Sequence, residues 1–181
     1  MQSRILIVDD NPSIHEDYRK ILTPRHDYAA LGDMEAALFG HTVVDWRSTQ
    51  QRFELVVAKQ GEEALQAVQQ AMQEQRSFAL AFIDMRMPPG WDGLETVERL
   101  WQVDPELQVV ICTAYSDHPW HVLMERLGVS DRWLILKKPF DGIEVMQLAH
   151  ALSCKWALEQ AAPDALMRLR AAPDEWRKPG D

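Results

Sequence analysis

The sequence has two cysteines, no apolar run near the length of a membrane span and no excess of positive charge. Two thiols are too few for a disulfide framework, so we expect Cys112 and Cys154 to be buried thiols of a cytoplasmic protein. A transmembrane helix needs about 20 apolar residues, which argues against a membrane protein. The net charge of −9 argues against a nucleic-acid or membrane-surface binder, because both need a basic face. Met1–Arg4 leads straight into an apolar run, so no secretory signal is expected.

The sequence instead contains short apolar runs that alternate five times with amphipathic segments. The predicted strands are Arg4–Val8, Phe53–Ala58, Phe78–Asp84, Leu107–Cys112 and Trp133–Lys137. Runs that are apolar on both faces are typical of a parallel sheet covered by helices on both sides. We therefore expect one α/β domain with a doubly wound five-stranded sheet.

Helix-start signals follow the strands. Asn11 before Pro12 predicts a helix to about Leu22, and the spacings Asp92–Glu95 and Asp141–Glu144 resemble capping boxes. Gly128 is expected to end the fourth helix. Apolar residues at helical spacing predict the buried faces of the second and fifth helices. They are Leu65, Val68 and Met72 in the second helix, and Val145, Leu148, Leu152 and Trp156 in the fifth.

Two segments exceed a minimal five-fold repeat. The connection over about 23–52 is far longer than the roughly 2–6 residues usual between a helix and a strand. It contains a predicted short helix, Met34–Phe39, before Gly40. We expect part of it to pack on the domain, because four of its residues are too apolar for a free loop: Phe39, Val43, Val44 and Trp46. The domain is predicted over 1–157, with 158–181 as a tail or linker. The tail is expected to form short, proline-punctuated helical pieces or to be partly disordered; in a larger protein, the fifth helix is expected to run on as a linker.

Polar side chains stand at the ends of four predicted strands. Asp9 and Asp10 follow the first strand, Asp84 ends the third, Thr113 follows the fourth, and Lys138 follows the fifth. Sites in open parallel sheets lie beyond the carboxyl ends of the strands. These five residues are therefore expected to converge at one edge of the sheet.

Three converging carboxylates repel one another unless a cation neutralises them. Mg²⁺ is the expected partner, because it prefers a few carboxylates, waters and a phosphate oxygen. Asp84 on the central strand would then be the nucleophile that forms an aspartyl phosphate. Lys138 and Thr113 could hold the other oxygens of the phosphoryl group.

At these residues the chain resembles the receiver domain of two-component response regulators. The resemblance covers about residues 1–157, interrupted by 23–52. Its motifs are Ile7-Val8-Asp9-Asp10, Asp84-Met85-Arg86-Met87-Pro88 with Asp92-Gly93, Thr113-Ala114, and Lys138-Pro139-Phe140. The resemblance implies a flavodoxin-like sheet of strand order 2-1-3-4-5.

The resemblance also implies a role for each site residue. Asp84 would accept a phosphoryl group from a sensor histidine kinase, in transfer and dephosphorylation that the domain itself catalyses, without being an enzyme otherwise. Asp10, Asp84 and the backbone carbonyl of Arg86 would bind Mg²⁺ directly, and Asp9 largely through water. Thr113 and Lys138 would hold phosphoryl oxygens; Lys138 is chosen over Lys137 because it directly precedes the proline. The Lys138–Pro139 bond would be cis.

Two departures from the family pattern concern the signalling switch and the lifetime of the phosphorylated state. Ile135 stands where the family usually has an aromatic switch residue; Trp133 on the same strand face could substitute, or could simply pack under the fifth helix. Arg86 and Tyr115 would flank the path of the hydrolytic water. Two large side chains there lead to the hypothesis of a long-lived phosphorylated state.

The output is expected at the face made by helix 4, strand 5 and helix 5, which the family uses for homodimers or targets. Trp120, Trp133 and Trp156 map near that side. The partner would be a downstream protein target, or an output domain if this is the amino-terminal receiver of a larger kinase or cyclic-dinucleotide signalling protein. A constitutive binding module is a further alternative. An aspartyl-phosphate phosphohydrolase is disfavoured, because Arg86 stands where it needs a second aspartate.

Overall fold

A parallel sheet of five strands forms the centre of the protein. The computed structural model describes residues 3–23, 53–114 and 120–171. Its strands are β1 (Ser3–Val8), β2 (Phe53–Ala58), β3 (Leu80–Asp84), β4 (Gln108–Thr113) and β5 (Trp133–Lys137). They lie in the order β2-β1-β3-β4-β5, and every neighbouring pair is parallel. The predicted fold class and strand order are confirmed.

Helices cover both faces of this sheet. They are α1 (Pro12–Leu22), α2 (Gly61–Gln73), α3 (Gly93–Val103), α4 (Trp120–Leu127) and α5 (Gly142–Ala171). Tyr18 and Leu22 of α1 share one buried cluster with Val145 and Leu152 of α5. The other cluster joins α2, α3 and α4 to the opposite face through residues such as Val68, Leu94 and Leu123. Burial on both faces explains why the strands are almost wholly apolar.

The predicted helix caps are present. The Asn11 side chain accepts a hydrogen bond from Ser13 N at 3.0 Å, and Asp92 Oδ1 accepts one from Glu95 N at 2.7 Å. At the start of α5, Asp141 and Glu144 form a capping box: Asp141 Oδ1 accepts from Ile143 N, and Glu144 Oε2 accepts from Asp141 N. Gly128 follows α4 with a φ of 72°, the left-handed conformation that favours glycine.

The strand register aligns the carboxyl ends of four strands. Val8 pairs with Ile83, Asp84 with Cys112, and Thr113 with Lys137. The residues that follow these pairs therefore emerge at one edge of the sheet. This edge is the place where the sequence predicts the site.

Two details differ from the sequence predictions. The buried stripe of α2 consists of Ala64, Val68 and Ala71, whereas Met72 is exposed. The start of α2 lies close against α3, because a Cβ on Gly61 would come within 2.3 Å of Thr96 Oγ1. Cys112 is buried as expected, but Cys154 is exposed, because it lies away from the α5 face that carries Val145 and Leu152.

The fifth helix differs from one of its two predictions and agrees with the other, in which it runs on beyond 157. It is continuous to Ala171, whereas short pieces or disorder were expected beyond 158. The predicted short helix over 34–39, Tyr115 and the segment 172–181 lie outside the described residues. Among the helices of the described ranges, none combines the length and the apolar character needed to cross a membrane.

Candidate functional site

Three carboxylates meet at the carboxyl edge of the sheet. Asp9 and Asp10 directly follow β1, and Asp84 is the last residue of β3. One carboxylate oxygen from each lies within 4.8 Å of the other two. Asp9 and Asp84 are buried, at 3% and 9% exposure, whereas Asp10 faces solvent.

Lys138 brings one positive charge to this cluster. Its Nζ lies 2.7 Å from Asp84 Oδ1 and 2.8 Å from Asp9 Oδ2. A backbone hydrogen bond fixes Lys138 to the end of β4, because Lys138 N donates to Thr113 O at 2.8 Å. The Lys138–Pro139 bond is cis, as the resemblance implied. Lys137, the alternative lysine, has an exposed side chain and belongs to β5 itself.

Burial controls the electrostatics of the pair. Burial raises the pKa of Asp84, and the neighbouring Asp9 adds to this, while Lys138 lowers it only in part. For Lys138, burial lowers the pKa, but the hydrogen bonds from Lys138 to Asp84 and Asp9 outweigh it and the net pKa is raised. The ammonium group therefore stays charged at neutral pH. One ammonium group against three carboxylates leaves the cluster with excess negative charge.

The donor set fits a hard divalent cation. All three side chains offer oxygen, which Mg²⁺ prefers, and excess negative charge favours binding. The loop after Asp84 is fixed at both ends: Met85 N donates to Cys112 O at 2.9 Å, and Gly93 N donates to Met85 O at 3.0 Å. A Cβ on Gly93 would lie 2.4 Å from Asp84 O, so this close approach requires glycine.

Thr113 reaches the same edge as the last residue of β4. Its hydroxyl donates to the carbonyl oxygen of Ala114 at 3.0 Å. The structure thus brings Asp9, Asp10, Asp84, Thr113 and Lys138 to one edge. Arg86, two residues beyond Asp84, has an exposed side chain between buried Met85 and Met87.

Two buried residues of α1 support the site and were missed from the sequence. His15 Nε2 lies 2.7 Å from the carbonyl oxygen of Asp9 and fixes the backbone beside the acidic pair. Tyr18 packs its ring on Phe82 and Phe140, and its hydroxyl contacts Cys112 Sγ at 3.2 Å. Their helical spacing with Leu22, three residues and then four, marks the inward face of α1 and was the available signal. Burial raises the pKa of the Cys112 thiol to about 12, so it is neutral beneath the site.

Trp133 does not pack under the fifth helix, one of the two expectations for it. Its ring lies 5.5 Å from that of Trp120 in α4, and its Nε1 donates to Gly128 O at 3.2 Å. It belongs to the cluster on the α2, α3 and α4 side, against which Ile135 also packs. Of the three tryptophans near this face, Trp120 is exposed at 59%, whereas Trp133 is buried and Trp156 is half-buried.

Solved structures share this architecture. A receiver domain protein from Methanospirillum hungatei JF-1 is 20% identical with a TM-score of 0.59, covering 88% of this chain and 99% of its own. A receiver protein from Sinorhizobium medicae WSM419 is 17% identical with a TM-score of 0.57, and the match covers 86% of this chain and 97% of that protein. A structure described as adenylate cyclase from Rhodopirellula baltica is 20% identical with a TM-score of 0.63, and the match covers 92% of this chain and 98% of that structure. At these identities the likeness shows the fold alone, and no curated protein matches the chain by sequence.

The sequence profile described as response regulator receiver domain matches residues 39–150, more than half of the chain. This range contains Asp84, Thr113 and Lys138, but not β1 with Asp9 and Asp10. The structure supplies that missing part, because β1 pairs with both β2 and β3 in the sheet. On the profile and the fold together, the chain belongs to the response regulator receiver domain family.

Proposed function

We propose that the protein is a phosphorylation-dependent signalling receiver, with Asp84 as the phosphoryl acceptor. The observation that carries this proposal is the contact of Lys138 Nζ with both Asp84 and Asp9 inside a cluster of three carboxylates. Such a cluster has excess negative charge that attracts a divalent cation, and the cation and Lys138 together can then neutralise the oxygens of a phosphoryl group. The donor would be the phosphohistidine of a sensor histidine kinase.

The reaction needs little from the protein beyond position and charge. A carboxylate oxygen of Asp84 attacks phosphorus, the bond from phosphorus to the histidine nitrogen breaks, and the imidazole leaves with that electron pair. Mg²⁺, held by Asp10, Asp84 and the Arg86 carbonyl, with Asp9 acting through water, would neutralise phosphoryl oxygens. Lys138 would move its hydrogen bond from the carboxylate to a phosphoryl oxygen. Thr113 would turn its hydroxyl from Ala114 to another.

The new charge would then change the surface around β4 and β5. Thr113 O accepts from Lys138 N, so movement at either residue reaches both strands. Ile135 packs in the core and has no ring to swing, so the signal must use another element. Trp120 is the first residue of α4 and its ring packs against that of Trp133 at a tilt of 41°, which supports a route through the start of α4.

A second candidate is a receiver joined to an output module, for which α5 provides support. This helix has 30 residues, and its half beyond Trp156 includes the exposed Leu158. A helix of that length can serve as a semi-rigid linker. The similar structure described as adenylate cyclase is compatible with this arrangement. In both cases Asp84 would have the same chemistry.

Phosphoryl uptake tests the proposal directly. The protein is incubated with Mg²⁺ and acetyl phosphate, and its intact mass is measured. We expect one phosphoryl group on the native chain and none on Asp84→Asn. Asp104→Asn, which changes another buried aspartate outside the cluster, is the matched control and should still take up one group. If the native chain takes up none, a constitutive binding module becomes the better description.

A further inference from the structure

An open apolar groove lies on the face of the domain between α1 and α5. Its volume is about 910 Å³, and its walls include Ile21 from α1 and Ile143, Met146 and His150 from α5. Ile143 is 68% exposed, although it is among the most apolar side chains of this face. The two helices approach closely at one end, where a Cβ on Gly142 would lie 3.3 Å from Ile21. An exposed apolar groove of this size usually marks a surface that something covers.

Both ends of the 24–52 connection lie beside this groove. At one end, α1 stops at Thr23, which is two residues beyond Ile21 and donates its N–H to Arg19 O. At the other end, the chain re-enters the sheet at Phe53, whose ring meets that of His150 at 5.2 Å. The groove thus has one wall residue next to each end of the segment.

The segment has the composition that the groove needs. Between its ends it carries Phe39, Val43, Val44 and Trp46 within eight residues. Aromatic and branched side chains bury the largest apolar area per residue, and leaving them in water is unfavourable. Because the segment is attached on both sides, its effective concentration at the groove is about millimolar, which favours it over a free partner.

We propose that the stretch Phe39–Trp46 docks in the α1–α5 groove of its own chain. This would make the long connection an added layer of the domain, next to the fifth helix and on the side away from α4. The proposal is independent of phosphorylation at Asp84, so its failure leaves the acceptor function untouched.

Photo-crosslinking identifies what covers the groove. Ile143 of the full chain is replaced by p-benzoylphenylalanine, irradiated and mapped by mass spectrometry; the same residue at Val129, which is 91% exposed beyond α4, is the control. We expect cross-links within one chain from position 143 to residues 36–46, and none to that stretch from position 129. Cross-links between two copies, or none to residues 24–52, would overturn the proposal.

Hydrogen exchange on the full chain gives a second, independent measurement. Amides of residues 36–46 should exchange at least about tenfold slower than in an unstructured peptide, and Ile143→Asp should remove most of that protection. An aspartate in the first turn of α5 suits the helix dipole, so this variant is expected to fold. Val129→Asp should leave the protection unchanged. Exchange at the unstructured rate in the native chain, or protection that Ile143→Asp does not alter, would contradict docking.

Discussion

Two lysine-centred clusters lie at opposite ends of the sheet, and they differ in burial. At the carboxyl edge, Lys138 contacts Asp84 and Asp9, and burial raises the pKa of Asp84 despite the ion pair. At the amino edge, Lys155 contacts Asp131 Oδ2 at 3.0 Å, and this exposed hydrogen-bonded contact lowers the pKa of Asp131.

In the amino-edge cluster, Lys155 also has neutral hydrogen-bond partners. Lys155 also donates to Gln108 Oε1 at 3.1 Å and to the carbonyl oxygen of Asp131 at 2.7 Å. Glu159 lies 3.6 Å from the same ammonium group, and the Asp131 side chain is 80% exposed. Solvent screens the charges of this exposed cluster. Its hydrogen bonds tie α5 to the sheet. The buried cluster keeps uncompensated negative charge, which favours the binding of a cation.

The largest expected difference between the clusters comes from removing each lysine. Lys138→Met leaves two buried carboxylates unpaired, and without Mg²⁺ it should lower the free energy of unfolding by about 2 kcal/mol. Lys155→Met should cost much less, because exposed ion pairs contribute little. Urea unfolding of both variants in the presence of EDTA gives the comparison. Equal losses would mean that burial does not separate the clusters.

A cation should affect only the carboxyl edge. Added Mg²⁺ is expected to stabilise the native protein, because it binds the folded state. Asp10→Asn should reduce that gain, yet raise the free energy of unfolding without Mg²⁺ by roughly 0.5–1 kcal/mol, because it relieves repulsion. Thermal unfolding across an Mg²⁺ series measures both effects. Asp131→Asn is the control, and a change in its Mg²⁺ response would count against a site specific to Asp10.

The lifetime of the phosphorylated state would sharpen the comparison further. Arg86 is exposed beside Asp84, and its side chain should hinder the approach of water. Arg86→Ala is expected to shorten the half-life by about threefold, or roughly 0.65 kcal/mol of barrier. Loss of the phosphoryl mass over time measures it. Arg99→Ala, which removes the same charge from α3, should leave the half-life unchanged; an equal effect would indicate general electrostatics.

The smallest expected effect concerns a buried carboxyl near the amino edge. Burial raises the pKa of Asp104, so the folded protein holds this proton more tightly than the unfolded chain. Its contribution to stability is therefore complete below the unfolded pKa and is lost as pH rises through the folded pKa. Asp104→Asn should raise the free energy of unfolding above that of the native protein by about 0.5 kcal/mol at pH 7, and should leave it unchanged at acidic pH. Urea unfolding midpoints at pH 4 and 7 test this. A variant whose stability falls relative to the native protein as pH rises would contradict it.

The sequence was sufficient for the order of elements and for the edge where the site lies. Each strand is an apolar run that stops at a polar residue, so its carboxyl end is marked locally, as at Asp84. Helix starts are marked locally too, by Asn11, Asp92 and Asp141, whose side chains bond to nearby amides. These signals act over three or four residues and therefore survive without knowledge of the fold.

The errors concern faces of helices and partners distant in sequence. Met72 fits a helical spacing as well as Ala71 does, but the packing of α2 buries Ala71 and leaves Met72 exposed. Trp133 could have packed against either neighbouring helix, and the position of α4 decided it. Cys154 lies on a helix with a clear buried face, yet points away from it.

By itself, the sequence determined that three carboxylates, a hydroxyl and an ammonium group end at one edge of a parallel sheet. Periodicity and strand termination are enough for that. Only the tertiary structure decided that Lys138 spans Asp9 and Asp84, that His15 holds the Asp9 carbonyl, and that Gly93 must lack a side chain. Each of these depends on distances between segments far apart in the chain, which packing sets and local pattern does not.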